Sequence, residues 1–273
     1  MRTAAFNAGA QMQSSPVWLV LARALHDADY RARVMSDPAQ AAGDLGLSRE
    51  EISFLTKFDA DAYYSLYGGL ILHEVLAYPL AGRFQIFPES VTPAAGSGIP
   101  IRLAPGLAFG NGSHATTRLC LEALERYLRP GGVVLDIGTG NGLQAIAAAK
   151  LGARHVLGLD TSRRAVVQAR KNVVLNEVAE TVTIRFGSLN HVDRWLCPGA
   201  VDVLIVNILT SVVGRFIRQG LSQWLSADGI LIASGIRTEE LADLVDLLPT
   251  GDLEFSEARR DGMWAALLAR KSR

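Results

Sequence analysis

The stretch VVLDIGTGNG (133–142), followed twelve residues later by HVLGLD (155–160), decides the fold. Each contains a short apolar run of the kind that forms a buried strand of a parallel sheet. The first run ends in a glycine-rich turn and the second in Asp160, 22 residues after Gly138. The alanine-rich residues between them, from Leu143 to Leu151, predict a closely packed helix. This stretch therefore predicts a strand–turn–helix–strand unit with a carboxylate at the end of its second strand.

The same alternation of strand and helix patterns continues to the end of the chain, beginning near residue 102. It indicates a parallel sheet with crossover helices, a doubly wound α/β fold. The last two runs flank Asp261–Gly262 and predict an antiparallel hairpin. The further predicted strands are TVTIRF (181–186), VDVLIVN (201–207) and ILIASG (230–235), and the further predicted helices are 162–176, 212–225 and 239–248.

The residues before this region predict a different organisation. Residues 1–66 have helical periodicity and capping signals, so we expect a small all-α module that serves as a substrate adaptor or a lid. Residues 67–101 contain four prolines and a PAAGSG loop. They indicate a connector, with a helix near Leu70–Leu76 and an edge strand near Arg83–Phe87. Residues 102–273 form the predicted α/β domain.

Composition and charge narrow the class of protein. Hydrophobic residues make up 49% of the chain and charged residues 20%, which is typical of a globular protein with a large core. The 27 basic residues balance the 27 acidic ones, so no global field favours nucleic acid or an acidic membrane. Cys120 and Cys197 form no CxxC or Cys/His cluster, so we predict no metal site. We expect a cytoplasmic enzyme with reduced thiols.

The glycine turn indicates a ligand at the carboxyl end of the sheet. We expect Gly138, Gly140 and Gly142 to let that ligand approach the backbone closely. Asp160 is placed to accept hydrogen bonds from both hydroxyls of a ribose, and we include Thr161 in the expected cofactor site. Asp136 precedes the turn, where a carboxylate repels a pyrophosphate and attracts the ammonium of a methionine-like group. Charge therefore favours S-adenosylmethionine (AdoMet) over NAD, because AdoMet has no phosphate.

Two further segments place polar side chains near that ligand. His114 stands at the start of a predicted helix, with Thr116 and Thr117 in its first turn, where they can cap the helix or contact a ligand. Asn207 ends the fourth strand of the domain, where open sheets bind their ligands. Asn207 is our candidate for orienting an acceptor amine, with the Ile208 carbonyl as helper; the alternative is that it caps the next helix. His114 is a candidate base or cofactor contact, or a cap.

From about Ile101 to Leu248 the chain resembles the PrmA family, bacterial methyltransferases that modify a large-subunit ribosomal protein. The resemblance implies a class I methyltransferase fold and AdoMet as cofactor. It implies that Thr117, Gly138, Asp160 and Asn207 contact that cofactor. The motifs that carry it are PGLAFGNGSHATTRLCLEALE (105–125), VLDIGTGNGLQAIAAAKLGA (134–153), VLGLD (156–160), VNILT (206–210) and ASGI (233–236).

The chain departs from the family pattern in two places. The family tends to have an acidic residue near the adenine, after the third strand, where this chain reads RFGSLN (185–190). We expect Ser188 or Asn190 to take that position. The helical pattern of residues 1–66 also differs from the family's α/β recognition domain.

These observations lead to one main hypothesis, an AdoMet-dependent methyltransferase that modifies an amine of a protein or peptide. The alternatives are a small-molecule N- or O-methyltransferase, a nicotinamide oxidoreductase and a non-catalytic AdoMet-binding protein. Asp136 and the glycine spacing argue against the oxidoreductase.

Overall fold

The computed structural model describes residues 78–89, 98–104 and 114–272, together with Pro93 and four isolated positions between 33 and 40. The predicted helical module and the helix near Leu70–Leu76 lie outside the described residues. Contacts divide the chain into the units Met1–Tyr78 and Pro79–Arg273. The proposed domain boundaries stay predictions, and the account below concerns the second unit.

A small three-stranded sheet opens the described region. It consists of β1 (Tyr78–Ala81), β2 (Phe84–Pro88) and β3 (Ile99–Leu103), in that order. The predicted edge strand is therefore wrong in its position, since β2 lies between its two neighbours and runs parallel to β3. Proline does not exclude this arrangement, because Pro88 is the last residue of its strand. Phe84, Ile86 and Ile101 are almost fully buried.

The large sheet has seven strands in the order β6-β5-β4-β7-β8-β10-β9. Strands β4 to β8 pair in parallel, whereas β10 pairs antiparallel with both β8 and β9. The doubly wound sheet with a C-terminal hairpin is confirmed. The strands are β4 (Val133–Ile137), β5 (His155–Asp160), β6 (Val182–Phe186), β7 (Val201–Asn207), β8 (Leu225–Arg237), β9 (Leu253–Asp261) and β10 (Trp264–Lys271).

Helices connect the successive parallel strands, and local capping residues determine where several of them begin or end. His114 caps the first helix and Ser162 caps the third through its side chain. The predicted helix 212–225 ends early, because Gly220 adopts a left-handed conformation and a separate 3-10 turn follows. The helices are α1 (Ala115–Tyr127), α2 (Leu143–Lys150), α3 (Arg163–Leu175), α4 (Thr210–Arg218) and α5 (Leu241–Leu247), with 3-10 helices at Leu189–Arg194, Leu221–Trp224, Thr238–Glu240 and Leu248–Gly251.

The core lies between the sheet and its helices. Every residue of β4 is buried, as expected for a parallel strand covered on both faces. The strand order reverses on either side of β4, since β5 and β7 are its two neighbours. In open α/β sheets such a switch point forms a crevice at the carboxyl ends of the strands. No described helix is long and apolar enough to cross a bilayer.

Candidate functional site

A cavity of about 620 Å³ lies at the carboxyl ends of the parallel strands. This volume is within the range of sites that bind cofactors and other small molecules. Each parallel strand contributes to the wall at or beyond its end: Gly138 after β4, Asp160 on β5, Ser188 after β6, Asn207 on β7 and Gly235 on β8. Helix α1 and the hairpin strand β10 complete it. The position matches the crevice that the sequence predicts.

The glycine turn serves backbone geometry as well as ligand access. Gly138, Gly140 and Gly142 all have positive φ angles, from 57° to 85°. Gly138 and Gly140 line the cavity, whereas Gly142 does not. A Cβ atom on Gly142 would lie 3.1 Å from the Cβ of Ala169, so this glycine permits α3 to pack closely. The expectation that Gly142 makes room for a ligand receives no support from this position.

A buried asparagine ties this turn to its surroundings. The Asn172 side chain is fully buried on α3 and donates to the backbone carbonyl of Asn141 at 2.9 Å. It also accepts from the Ala104 amide at 2.9 Å, just after β3. Asn172 thus holds the small sheet and the glycine turn to the same helix. Nothing in the sequence marks Asn172 for this role, because an asparagine within a helical pattern has no distinguishing signal.

Asp160 stands in the cavity wall with its carboxylate oriented by two backbone amides. Gly140 donates to one oxygen at 2.9 Å and Ser162 donates to the other at 2.8 Å. A carboxylate oxygen can accept more than one hydrogen bond, so both oxygens keep capacity for ligand hydroxyls. Thr161 also lines the cavity.

Asp136 does not line the cavity. It is fully buried behind the turn and accepts a hydrogen bond of 2.6 Å from the Thr139 hydroxyl. Burial raises the pKa of Asp136 to about 7, and the Asp160 carboxylate adds to this effect. Repulsion of a pyrophosphate is therefore a weaker argument than the sequence indicates, because this carboxyl is partly protonated near neutral pH. Its contact with an ammonium stays a prediction.

Helix α1 brings three predicted residues to the wall: His114, Thr116 and Thr117. The Thr117 hydroxyl is buried and has no hydrogen-bond partner among the described residues. His114 Nδ1 lies 2.8 Å from the Thr116 hydroxyl, and the ring packs edge-on against Trp264 with centroids 4.8 Å apart. Burial lowers the pKa of His114, as does the nearby Arg118, while Asp261 opposes them. A neutral imidazole at the cavity wall is thus favoured at pH 7.

Asn207 projects into the cavity from the end of β7. Its side chain makes no hydrogen bond within the described region, and α4 begins after Leu209 without a side-chain cap. The alternative of a capping role is therefore wrong. Ile208, the residue after Asn207, lies directly against Gly235 on β8. A Cβ atom on Gly235 would be 2.1 Å from the Ile208 carbonyl oxygen.

The remaining expectations concern the end of β6. Ser188 lines the cavity and caps the 3-10 helix Leu189–Arg194 together with His191. Asn190 is exposed and is absent from the wall. Of the two candidates for the adenine side, the structure therefore brings only Ser188 to the cavity.

Several wall residues were missed by sequence reasoning. Trp264, on the hairpin strand β10, lies in the wall beside His114 at the start of α1. Gln144 had a signal that we did not use, since it is the one polar side chain within the apolar run LQAIAAA. Further wall residues come from the loop after β7 and from α4, where no pattern marks them: Leu209, Val212, Arg215 and Phe216.

A sheet of this order, with a glycine turn after its first parallel strand and an acidic residue ending the next, has the Rossmann-like fold of class I methyltransferases. The chain belongs to the PrmA family, because the family model for ribosomal protein L11 methyltransferase (PrmA) matches residues 78–272.

Individual relatives agree with this assignment. The chain is 37% identical to the ribosomal protein L11 methyltransferase of Clostridium perfringens over 64% of its own length and 54% of that protein. It is 36% identical to the Listeria monocytogenes protein of the same name, over 70% of its own length and 60% of that protein. The chain thus spans little more than half the length of these curated relatives. The crystal structure of ribosomal protein L11 methylase from Lactobacillus delbrueckii subsp. bulgaricus superposes with a TM-score of 0.64 at 33% identity, covering 72% of this chain and 99% of that chain.

Proposed function

We propose that this protein is an AdoMet-dependent methyltransferase that modifies an amine nitrogen of a protein, with ribosomal protein L11 as the leading acceptor. The observation that carries the proposal is that Asp160 and Asn207 line one cavity from the ends of β5 and β7, on either side of β4, in a chain of the PrmA family. The Asp160 carboxylate suits the hydroxyls of a ribose, and the Asn207 amide suits an amine.

The cavity fits a nucleoside with an amino-acid tail. Asp160 would hold the ribose hydroxyls, and Ser188 lies beyond it on the adenine side, at the end of the neighbouring strand β6. Thr117 also lines the cavity, and its buried hydroxyl has no partner among the described residues, which suits a polar ligand group. When bound, AdoMet supplies an activated methyl group on a sulfonium.

The protein's task on the acceptor side is positioning. An amine attacks through its lone pair, so it must be neutral, and deprotonating an ordinary lysine at pH 7 costs roughly 4–5 kcal/mol. The Asn207 amide oxygen can accept a hydrogen bond from an amine N–H and so direct the lone pair toward the cofactor side. The neutral His114 ring lines the same cavity and is the candidate to take up the proton.

The first experiment tests the cofactor class. Titration calorimetry of the full chain should show AdoMet and S-adenosylhomocysteine binding and no binding of NADH. Binding of NADH without AdoMet would overturn the proposal. Asn207→Ala should leave AdoMet affinity within a few fold, because we assign this side chain mainly to the acceptor.

The second experiment tests the acceptor. Purified chain, methyl-labelled AdoMet and L11 from the same organism should give labelled L11, with mass increments of about 14 daltons on amine nitrogens; the increment is one CH2. Asn207→Ala should slow this transfer roughly 100-fold. Label on a small metabolite but none on L11 or other ribosomal proteins would contradict the protein acceptor.

A further inference from the structure

Gln144 is a buried polar side chain that the described protein leaves unsatisfied. It lies in the first turn of α2, and every residue from Leu143 to Ala148 is buried. Only 6% of Gln144 is exposed, and its Nε2 has no hydrogen-bond partner among the described residues. A buried amide group without a partner is destabilising, and such groups are rare in folded proteins. This one lines the cavity, so a ligand can supply the partner.

The neighbours of Gln144 show which part of the cavity it faces. Burial and the Asp136 carboxylate raise the pKa of the Cys120 thiol, whereas the side chains of Ser234 and Gln144 lower it, so these groups share one neighbourhood. Ser234 pairs with Asn207 across β8 and β7. Because a thiol is only a weak acceptor, its proximity leaves the Gln144 amide able to donate to a stronger acceptor.

Ser234, one member of this neighbourhood, lies on the opposite side of β4 from Asp160. The strand order β5-β4-β7-β8 separates Asp160 on β5 from Ser234 on β8. If Asp160 holds the ribose, the sulfonium and the amino-acid tail extend toward β7 and β8. Thr117, whose buried hydroxyl also lacks a partner among the described residues, lines the cavity from α1, the helix that carries Cys120.

We propose that the Gln144 amide donates a hydrogen bond to the carboxylate of the cofactor's amino-acid tail. This inference rests on the proposed function, since it assigns one more residue to the AdoMet site. A hydrogen bond from an amide to a carboxylate is charge-assisted and stronger than one to a neutral acceptor. The cationic side chain that lines the described wall, Arg215 on α4, is exposed and is the competing partner for this carboxylate.

The test compares two ligands that differ only in the carboxylate. Titration calorimetry of the full chain with AdoMet and with decarboxylated AdoMet is run on wild type and on Gln144→Leu. We expect the substitution to weaken AdoMet binding about 10-fold, equivalent to about 1.4 kcal/mol, and to leave decarboxylated AdoMet within twofold. Gln144→Met provides a second variant of similar volume. Both should melt no lower than wild type without ligand, because each removes an unsatisfied buried amide.

Two control variants complete the design. Cys120→Ala removes the thiol neighbour and should leave AdoMet affinity within threefold. Arg215→Met tests the competing partner: the assignment predicts that any loss of affinity in this variant is equal for AdoMet and decarboxylated AdoMet. Unchanged AdoMet affinity in Gln144→Leu and Gln144→Met, equal losses for both ligands, or a carboxylate-specific loss in Arg215→Met would each overturn the assignment. Absence of AdoMet binding by wild type is a distinct result, which would refute the proposed function itself.

Discussion

At the scale of single residues, Asp160 is the side chain on which the proposed ribose site depends. Asp160→Ala removes both carboxylate oxygens, and charge-assisted hydrogen bonds are worth about 1.5–3 kcal/mol each. We therefore expect AdoMet affinity to fall by roughly 100-fold or more, measured by calorimetry. The variant should keep its circular dichroism spectrum, although the Gly140 and Ser162 amides lose their acceptor. Asp228→Ala, at an exposed position near the start of β8, is the control; unchanged affinity in Asp160→Ala would remove Asp160 from the site.

The raised pKa of Asp136 leads us to expect that the stability of the protein depends on pH. Its pKa is about 7 in the folded protein, raised by burial, against 3.8 as the ordinary value. Between about pH 4 and pH 7 the folded state therefore holds a proton that the unfolded state has lost. Stability should fall as the pH rises through this window, by roughly 2–4 kcal/mol from this group.

Asp136→Asn tests this dependence directly. The amide cannot ionise but still accepts from Thr139, so the free energy of unfolding of the variant should rise relative to wild type as pH increases from 4.5 to 8. Denaturant titrations at several pH values measure the difference. Asp246→Asn, on the exposed face of α5, is the matched control. A constant difference between Asp136→Asn and wild type would show that Asp136 has no raised pKa.

At the scale of elements, Gly235 links two strands at the acceptor side. It has a φ of +79°, and a Cβ atom there would meet the Ile208 carbonyl oxygen at 2.1 Å. Gly235→Ala must therefore displace the loop that follows Asn207. We expect methyl transfer to slow roughly 10- to 100-fold, since a small displacement of a positioning group is costly. AdoMet affinity, which we assign mainly to the residues after β4 and at the end of β5, should change much less.

Gly199→Ala separates this displacement from backbone strain. Gly199 has a φ of +77°, nearly the same as Gly235, but a Cβ atom would meet nothing within 4 Å. The Gly199→Ala variant should therefore be less stable by about 1–2 kcal/mol, the cost of an alanine in the left-handed conformation, and should keep full methyl transfer. Single-turnover rates and melting curves for both variants make the comparison. Equal transfer rates in the two variants would show that the contact with Ile208 does not matter.

The elements also show what sequence patterns can and cannot predict. Strands β4 to β8 were predictable, because parallel strands buried on both faces are nearly continuous apolar runs. The short strands β1 and β3 were not, since Pro79 and Pro100 lie within them. Asp160 and Asn207 were found because strand ends of an open sheet converge. Trp264 was not, because the register that brings it opposite Arg237 on β8 depends on the hairpin's return to the sheet.

At the scale of the whole molecule, the described wall of the cavity belongs to one unit of the chain. All described residues that line the cavity lie between His114 and Trp264, within the unit Pro79–Arg273. This unit has its own core, which includes Leu135, Leu204 and Leu267. We therefore expect a fragment of residues 79–273 to fold cooperatively and to bind AdoMet within about threefold of the full chain.

The rate of methyl transfer to the acceptor should respond differently from AdoMet affinity when residues 1–78 are removed. Residues 1–78 contain the segment that we predict to be a substrate adaptor or lid, so its removal should slow methyl transfer to L11 while AdoMet affinity is retained. Calorimetry and labelled-methyl transfer, measured on the fragment and the full chain side by side, separate the two effects. Equal transfer rates would assign acceptor recognition to residues 79–273 alone. Loss of AdoMet binding in a folded fragment would instead show that residues 1–78 contribute to the cofactor site.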